Sequence, residues 1–272
     1  MLMKKVIRTL KDEGIAVLCK KTAKYLFYQL TRCRHQVDEV GIVYSVLKDR
    51  WGVMVDVGAH YGSALAPFAE DKWEIYAFEP DANNRNVLKD GFSSYPNVHI
   101  DSRGCSDKEE KNVPFYTSKE SSGISGLSAF VESHVESDRV ELTTLSKVID
   151  ELKIKHIDFL KIDTEGFDYF VLRGFPWKTM KPDVIVCEFE NKKTVPLGYD
   201  YHELGQFLCE QGYDVVISEW YPIKRYGTCH RWRGWKMFPA ELEEAAGWGN
   251  MIAYRPQFDK RVKSELAEYK EL

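Results

Sequence analysis

Apolar residues recur along this chain in short continuous runs, separated by stretches with the apolar spacing of helices. Such runs are typical of buried strands, and helices between them predict right-handed crossovers and a mainly parallel sheet. The predicted strands are 53–57, 74–79, 97–101, 157–162, 183–189, 213–218 and 250–255. The predicted helices are 81–90, 144–152, 166–173 and 201–211. Asp81 is the expected N-cap of the first helix and Gly212 the expected C-cap of the last.

The first strand leads directly into a glycine-containing turn. Residues 53–62 read VMVDVGAHYG, with glycines at positions 58 and 62. Glycines let the backbone approach a ligand closely, and an acid about 20 residues further on can hold ribose hydroxyls. Glu79 ends the second strand, 21 residues after Gly58. The pattern predicts a nucleoside pocket at this edge, and a turn that serves only strand-to-helix geometry is the alternative.

The spacing of the glycines bears on which cofactor the turn would hold. A dinucleotide-binding turn has the pattern G-x-G-x-x-G, whereas this turn has G-x-x-x-G, with Asp56 two residues before the first glycine. S-adenosylmethionine has no pyrophosphate to cradle, so a looser pattern suffices, and Asp56 can brace the loop. The turn therefore favours a methyltransferase pocket over a dehydrogenase pocket.

A second segment strengthens this interpretation. Residues 156–174 read HIDFLKIDTEGFDYFVLRG, an apolar strand that ends at Asp163 and enters an amphipathic helix. Gly174 and Pro176 end that helix. The other matching motifs are VDVGAH in the first turn, FEPD at 78–81 and TTLSKVIDEL at 143–152. Together these motifs closely resemble the FkbM family of S-adenosylmethionine-dependent methyltransferases, over roughly residues 50–255, and KIDTEG followed by VLRG is the most specific part.

The resemblance implies a fold and an activity. The fold is α/β, a Rossmann-like class I methyltransferase fold with a seven-stranded, mostly parallel sheet, helices on both faces and an antiparallel last strand. The activity is methyl transfer from S-adenosylmethionine to a hydroxyl oxygen, commonly of a sugar, glycan or natural product. The chain departs from the family pattern at Pro67, which should kink the first helix or delay its start.

The expected domains are a basic N-terminal helical extension at 1–45, the methyltransferase domain at 46–255, and a charged C-terminal tail at 256–272 that should be helical. An acceptor-side insertion is expected at about 219–249. At 272 residues and 44% hydrophobic content the chain can bury one substantial core. Its six cysteines include no C-x-x-C pair, which argues against a zinc site and a disulfide framework. No apolar run has the length of a membrane span and no signal-peptide core is recognisable, so a cytoplasmic location is expected.

Charge is concentrated at the N-terminus. Residues 1–34 hold nine basic and two acidic side chains, a balance of +7, so the remaining 238 residues carry −11 to give the total of −4. This segment could contact an anionic membrane surface or a protein partner, or its apolar side could pack on the methyltransferase body. No nucleic-acid partner is expected, and a homo-oligomer is compatible with the sequence.

Ligands of open α/β sheets bind beyond the carboxyl ends of the strands, where Asp56, Glu79, Asp163 and either Glu188 or Glu190 should meet. Glu79 is expected to accept hydrogen bonds from both ribose hydroxyls, with a helix-capping role as the alternative. Residues 104–107 are expected to flank the adenine, or else to form only a turn. The full predicted cofactor-binding set is Asp56, Gly58, His60, Gly62, Glu79, Pro80, Cys105, Ser106, Asp107 and Asp163.

Methyl transfer to oxygen needs an aligned acceptor and a group that takes its proton. The predicted catalytic residues are Asp163 as base or orienter, Glu165, which could instead hold the loop, and His230 as a second candidate base. Lys161 is read as a structural partner of a carboxylate. Mg²⁺ held by Asp163, Glu190 and Asn191 is possible on ligand chemistry, but a metal-free site is preferred because no ligand spacing is diagnostic.

The acceptor side is expected in residues 220–248, which are rich in aromatic and basic side chains suited to sugar rings and to phosphate or carboxylate groups. The predicted acceptor-binding residues are Trp220, Tyr226, His230, Arg231 and Trp232. Coverage of a sheet edge or a dimer contact is the alternative. For the whole protein, the alternatives are a non-catalytic nucleotide-binding or scaffold protein and a nucleotide-dependent oxidoreductase.

Overall fold

The computed structural model describes residues 37–226 and 228–269. Its strands are β1 Val53–Val57, β2 Glu74–Phe78, β3 Val98–Asp101, β4 Gly104–Cys105, β5 Glu110–Ser118, β6 His134–Thr143, β7 Phe159–Ile162, β8 Val184–Glu190, β9 Asp214–Trp220, β10 Trp232–Met237 and β11 Trp248–Tyr254. Its α-helices are α1 Glu39–Leu47, α2 Ala66–Glu70, α3 Ala82–Phe92, α4 Leu145–Leu152, α5 Asp168–Arg173, α6 Asn191–Thr194, α7 Tyr201–Glu210 and α8 Asp259–Ala267.

Eight of the strands form one sheet, in the order β10-β9-β11-β8-β7-β1-β2-β3. The five strands from β8 to β3 run parallel, whereas β11 is antiparallel to both β8 and β9. This confirms the mostly parallel α/β fold with an antiparallel last strand. The expected count of seven is exceeded by one, because β10 adds to the edge by pairing antiparallel with β9.

The seven predicted strands lie within two residues of the observed ones, and so do the four predicted helices. Asp81 is the N-cap of α3, since its side chain accepts hydrogen bonds from the backbone N–H groups of Asn83 and Asn84 at 2.8 and 3.2 Å. Gly212 has φ +89° and lies one residue beyond Gln211, which is the actual C-cap of α7. The left-handed conformation there suits glycine.

The first helix of the domain starts late, as Pro67 predicted. The chain forms turns after β1, and α2 begins only at Ala66 and spans five residues. Pro67 lies in its first turn, where a missing backbone N–H leaves no hydrogen bond unmade. The segment between β1 and α2 is therefore free to border a ligand pocket.

A second, three-stranded sheet lies in the chain between β3 and β7, in the order β4-β6-β5. The sequence analysis predicted no strands here. Most side chains of β5 and β6 are exposed or only partly buried, so neither strand forms the apolar run that marks the strands of the large sheet. The connection between β5 and β6 contains the 3₁₀ turn Ser122–Ile124.

The core has two parts, because alternate residues of a strand face opposite sides of a sheet. Val55 and Val57 of β1 belong to one apolar cluster, and Met54 belongs to the other. Helices α1 and α8 pack on the second cluster and bury Val46 and Val262 there.

Helix α1 runs through the domain boundary expected at residue 45, and α8 is the helix expected in the tail. The other boundaries of the three predicted domains stay predictions. The basic segment 1–34 lies outside the described residues. Among the helices of the described residues, none combines the length and apolarity needed to cross a bilayer.

Candidate active site

A pocket opens at the carboxyl ends of β1, β2 and β7, the rim where ligands of open α/β sheets bind. It unites several of the residues predicted from the two sequence motifs. Those that line it are Gly58, His60, Glu79, Pro80, Cys105, Asp163 and Glu165. The motifs are far apart in the chain and meet here because β1 lies between β2 and β7 in the sheet.

Gly58 brings the ends of these three strands together. Its backbone has φ +83°, and a Cβ atom at this position would collide with the carbonyl oxygen of Asp163. Its N–H and that of Ala59 both donate to the carbonyl of Phe78, at 2.9 and 3.0 Å. The N–H of Asp163 in turn donates to the carbonyl of Val57 at 2.9 Å. Only glycine satisfies both the conformation and the close approach.

Glu79 is a buried carboxylate fixed by the backbone. Its Oε2 atom accepts a hydrogen bond from the N–H of His60 at 2.7 Å, and its Oε1 atom accepts one from the N–H of Asp81 at 2.8 Å. Burial raises the pKa of Glu79 to about 7, against the lowering effect of these two hydrogen bonds. Each carboxylate oxygen has a second lone pair, so Glu79 can still accept bonds from a ligand.

Lys161 links two of the predicted acids. Its ammonium lies 3.0 Å from Oδ1 of Asp56 and 3.5 Å from Oδ2 of Asp163. Burial acts to lower the pKa of Lys161, but the charges of Asp56 and Asp163 raise it above its ordinary value. Asp163 and Lys161 line the pocket, whereas Asp56 is fully buried behind Lys161. Asp56 therefore braces Lys161 and does not face the ligand.

Glu165 follows on the same loop, in the left-handed conformation with φ +56°. Its Oε2 atom lies 2.6 Å from the ammonium of Lys193, which is itself 2% exposed. Burial raises the pKa of Glu165 to about 7, and the nearby charge of Lys193 acts in the opposite direction. A carboxyl group that ionises near neutral pH at a pocket wall is suited to general acid–base chemistry.

Comparison with known proteins identifies the domain around this pocket. Residues 56–215, more than half of the chain, match the Methyltransferase FkbM domain. The chain belongs to the FkbM methyltransferase family. The match spans both motifs that carried the resemblance, so the resemblance is confirmed and the protein is a methyltransferase.

Individual relatives of this FkbM chain are distant. The AMB antimetabolite synthetase AmbE of Pseudomonas aeruginosa is 26% identical, over 67% of this chain and 10% of AmbE, so the chain spans about a tenth of that protein's length. Among solved structures, the precorrin-6y C5,15-methyltransferase of Geobacter metallireducens is similar, with 13% identity, 81% and 94% coverage of the two chains and a TM-score of 0.42. The 1,6-didemethyltoxoflavin-N1-methyltransferase of Burkholderia thailandensis, with bound S-adenosylhomocysteine, has 11% identity, coverage of 79% and 76%, and a TM-score of 0.39.

FkbM membership implies S-adenosylmethionine as the methyl donor, and the pocket fits this cofactor. Glu79 is a buried carboxylate of the kind that ribose hydroxyls can bind, and Gly58 leaves the turn without a side chain. Asp163 and Glu165 place negative charge in the lining, which complements a sulfonium cation. When bound, S-adenosylmethionine supplies a methyl group from a positively charged sulfonium. Loss of the methyl group turns the sulfonium into a neutral thioether.

The sequence analysis missed one wall of the FkbM pocket. This wall comes from the connection between β5 and β6 and consists of Ser122, Gly123, Ser125, Gly126 and Leu127. Ser122 Oγ lies 3.0 Å from both His60 Nε2 and the hydroxyl of Tyr61, and its carbonyl accepts a bond from Asn84 Nδ2 at 3.3 Å. The run SSGISG at 121–126 was a detectable loop signal, but its position against the turn after β1 depends on the unpredicted small sheet.

Three more residues of the predicted cofactor set do not line the pocket. Gly62 packs against α3, where a Cβ atom would collide with the side chains of Phe92 and Leu88. Ser106 is buried and its N–H donates to the carbonyl of Thr143 at 2.9 Å. Asp107 pairs with Arg173 at 3.3 Å. In the structure, Gly62, Ser106 and Asp107 make contacts within the protein. For residues 106 and 107, these contacts agree with the alternative of a local turn better than with a position beside the adenine.

Two of the predicted acceptor residues are part of the core. Trp220 is buried and its indole N–H donates to Oε1 of Glu39 at 2.9 Å. Trp232 packs against the same cluster, and its indole N–H donates to Oγ of Ser218 at 3.1 Å. Among the described residues, neither belongs to the pocket lining. Both tryptophans pack at the sheet edge where β10 pairs with β9, and their role in binding the acceptor stays a prediction.

Tyr226 is connected to the site indirectly. Its hydroxyl donates to Oε1 of Glu190 at 2.9 Å, and Glu190 contacts Lys193, the partner of Glu165. His230 and Arg231 fall, as residues 229–231, into a different compact unit of the chain from the body described above. Their roles as base and acceptor ligand stay predictions.

The predicted Mg²⁺ ligands are engaged otherwise. Asn191 Oδ1 accepts a hydrogen bond from the N–H of Tyr201 at 3.1 Å, at the start of α7. Carboxylate oxygens of Asp163, Glu165 and Glu188 lie within 4.8 Å of one another. Lys193 contacts the last two at 2.6 and 3.0 Å, so the cation among these acids is its ammonium. The preference for a metal-free site stays a prediction.

Proposed function

We propose that this FkbM protein is an O-methyltransferase that uses S-adenosylmethionine to methylate a hydroxyl group of a sugar, glycan or related natural product. The observation that carries the proposal is Glu165. It is a buried pocket-wall carboxylate whose pKa is raised to about 7 by burial, and it lies two residues from Asp163 in the same pocket as Glu79.

A hydroxyl oxygen is a poor nucleophile until its proton leaves, and a positioned base contributes about 10²–10⁴-fold to such a step. A base is most effective when its pKa is close to the working pH, because it is then both ionised and basic enough. Glu165 meets this condition and is buried at the pocket wall, whereas the side chain of Asp163 is 45% exposed. We therefore assign Glu165 as the group that takes the proton and Asp163, next to Lys161, as the group that orients cofactor or acceptor.

The polar wall supports a hydroxylated acceptor. The lining includes three serine residues with side-chain hydroxyl groups, Ser63, Ser122 and Ser125. Such groups donate and accept hydrogen bonds, as sugar hydroxyls require. The likeness to part of AmbE, by name an antimetabolite synthetase, favours a small natural-product acceptor.

The test is a methylation screen with sugars, nucleotide sugars, oligosaccharides and natural products that carry hydroxyl groups. Each candidate is incubated with the protein and S-adenosylmethionine, and the products are read by mass spectrometry. We expect a product heavier by one methylene unit, with S-adenosylhomocysteine in equal amount. Binding of S-adenosylmethionine without any methylated product would support the scaffold alternative. Binding of NAD in its place would support the oxidoreductase.

A further inference from the structure

Lys193, on the short helix α6, is enclosed by acids. Its ammonium lies 2.6 Å from Oε2 of Glu165, 3.0 Å from Oε2 of Glu188 and 2.9 Å from Oε2 of Glu190. The contact with Glu188 is a hydrogen bond, whereas the Oε2 atoms of Glu165 and Glu190 are buried beside the ammonium as ion-pair partners. Burial acts to lower the pKa of Lys193, but these three acids raise it well above its ordinary value. Lys193 is therefore a permanent buried cation.

Aromatic rings shield this cluster from water. The ammonium lies 5.3 Å from the centre of the Phe130 ring and 5.8 Å from that of Tyr226. Tyr226 also donates its hydroxyl to Glu190 at 2.9 Å. In such a setting charge interactions are screened less than at the surface, so each charge strongly influences its neighbours.

The cluster holds more acid than base. Three carboxylates surround one ammonium, and Asp163 lies close to two of them. Asp168 is close on the other side, where its Oδ1 atom accepts a hydrogen bond from the N–H of Glu188 at 2.9 Å. Lys161 pairs with Asp163 at 3.5 Å, and Lys193 alone cannot balance the other carboxylates, so at least one carboxyl group of the cluster should bind and release a proton near neutral pH.

Glu165 is the member that lines the pocket. Glu188 and Glu190 are not part of the lining within the described residues. Burial raises the pKa of Glu165 most, Lys193 lowers it, and Asp163 and Glu190 raise it further. Lys193 therefore acts on the one group of the cluster that can meet a substrate.

The backbone adds a second constraint. Glu165 at φ +56° and Gly166 at φ +101° form a left-handed turn, which is uncommon for a residue with a side chain. A Cβ atom on Gly166 would lie 3.1 Å from Cβ of Lys193, so the turn packs directly on α6. The ion pair and this packing together fix where the Glu165 carboxylate lies.

We propose that Lys193 is a positioning residue for methyl transfer: it holds Glu165 at the pocket wall in the ionised form that takes the proton of the acceptor hydroxyl. This inference rests on the proposed function. As the acceptor oxygen gains the methyl group, its O–H bond breaks and the proton passes to Glu165, while Lys193 keeps its own proton. The protonated Glu165 then releases the proton to water and is ready for the next turnover.

The direct test is a pH titration of the full chain with ¹³C-labelled glutamate carboxyl groups, followed by NMR. Glu165→Gln assigns the Glu165 signal by its loss. We expect the wild-type signal to titrate near pH 7. Lys193→Met should move the midpoint upward by about one unit or more, because the lowering charge is gone. Glu190→Gln should move it downward, because a raising charge is gone. Lys192→Met, which removes an exposed charge from the same helix, should leave it unchanged.

Removal of one partner from a buried ion cluster is strongly destabilising, so Lys193→Met could fail to fold. The midpoint shift expected in Glu190→Gln, opposite in direction to that in Lys193→Met, then still tests the proposal. Glu190→Gln removes a surplus acid and its amide can still accept the bond from Tyr226. Lys193→Arg retains the charge and should restore the wild-type midpoint. An unchanged midpoint in both Lys193→Met and Glu190→Gln, or in Glu190→Gln alone if the other variant is unfolded, would overturn the proposal.

Kinetics on an acceptor from the screen link the titration to turnover. In Lys193→Met, kcat at pH 7 should fall about fivefold or more and recover as the pH rises, since a one-unit rise from a pKa of about 7 lowers the ionised fraction at pH 7 from about a half to about a tenth. The Kd of S-adenosylmethionine should change less than about threefold. A uniform loss of kcat at every pH would assign Lys193 a purely structural role and overturn the proposal. Absence of product from the wild-type protein would instead remove the proposed function, whatever the NMR midpoints show.

Discussion

Glu79 Oε2 accepts a hydrogen bond from the backbone N–H of His60 at 2.7 Å, and this contact fixes the turn after β1 to the end of β2. The other oxygen of the same carboxylate holds the N–H of Asp81, the N-cap of α3. One side chain therefore sets the relative positions of the two loops that border the pocket. Its burial also places the pKa of Glu79 near 7, so the charge of this carboxylate depends on pH in the neutral range.

We expect Glu79→Ala to weaken S-adenosylmethionine binding by about 1.5–3 kcal/mol, or roughly 10–100-fold in Kd, because hydrogen bonds to a charged carboxylate are lost. Isothermal titration calorimetry measures the effect. Glu74→Ala on the same strand is the control, since its side chain is 45% exposed and lies outside the pocket lining. An unchanged Kd in Glu79→Ala would remove Glu79 from the ribose site.

Cofactor binding should depend on pH through Glu79. Its pKa in the folded protein is raised to about 7, so the carboxylate is mostly protonated at pH 6 and mostly ionised at pH 8. The ionised form accepts hydrogen bonds from ribose hydroxyls more strongly, so the affinity for S-adenosylmethionine should rise from pH 6 to pH 8. Glu79→Gln, which cannot ionise, should show a smaller rise. Equal pH dependence in both proteins would assign the effect to other groups.

Asp163→Asn preserves the shape of the side chain and removes its charge. We expect kcat to fall by about 100-fold or more, with the unfolding transition unchanged, because an orienting charge next to Lys161 is lost. Asp150→Asn is the control, since Asp150 is 87% exposed on α4. Turnover within about threefold of wild type, with the same pH profile, would exclude Asp163 from both orientation and proton transfer.

Trp220→Ala should behave as a core substitution. Loss of a buried tryptophan costs about 3–5 kcal/mol in the free energy of unfolding, and here it also takes a hydrogen-bond donor from the buried Glu39. Trp51→Ala should have almost no effect, because Trp51 is 92% exposed. Denaturant unfolding of both variants measures the difference. A raised acceptor KM in Trp220→Ala without loss of stability would return Trp220 to the acceptor site.

The large sheet could be predicted well because its strands are continuous apolar runs bounded by turn residues. Each strand can therefore be recognised from its own sequence, without knowledge of the strands that pair with it. The glycine turn was equally clear, since Gly58 and Glu79 directly follow the consecutive strands β1 and β2. The small sheet was missed because β5 and β6 expose most of their residues and are stabilised by pairing with each other. That pairing is a long-range property, and it alone brings Ser122 to His60.

The packing of Trp220 and Trp232 could not be predicted from the sequence for a different reason. Aromatic composition is the same for a sugar-binding wall and for an apolar sheet edge, and the pairing of β9 with β10 decides what the side chains of both strands pack against. The role of Lys193 was also invisible in the sequence. It lies in ENKKT between the exposed Lys192 and the buried Thr194, and nothing in the local sequence distinguishes it from Lys192.

The most direct test of the central claim is ¹³C NMR of the product formed from S-adenosylmethionine labelled in its methyl group, with the wild-type protein and an acceptor from the screen. The account predicts that the label appears in a methyl group bonded to oxygen. It also predicts that Glu165→Gln forms this product at least about 100-fold more slowly at pH 7. A label bonded to nitrogen or carbon, or equal rates for the two proteins, would contradict it.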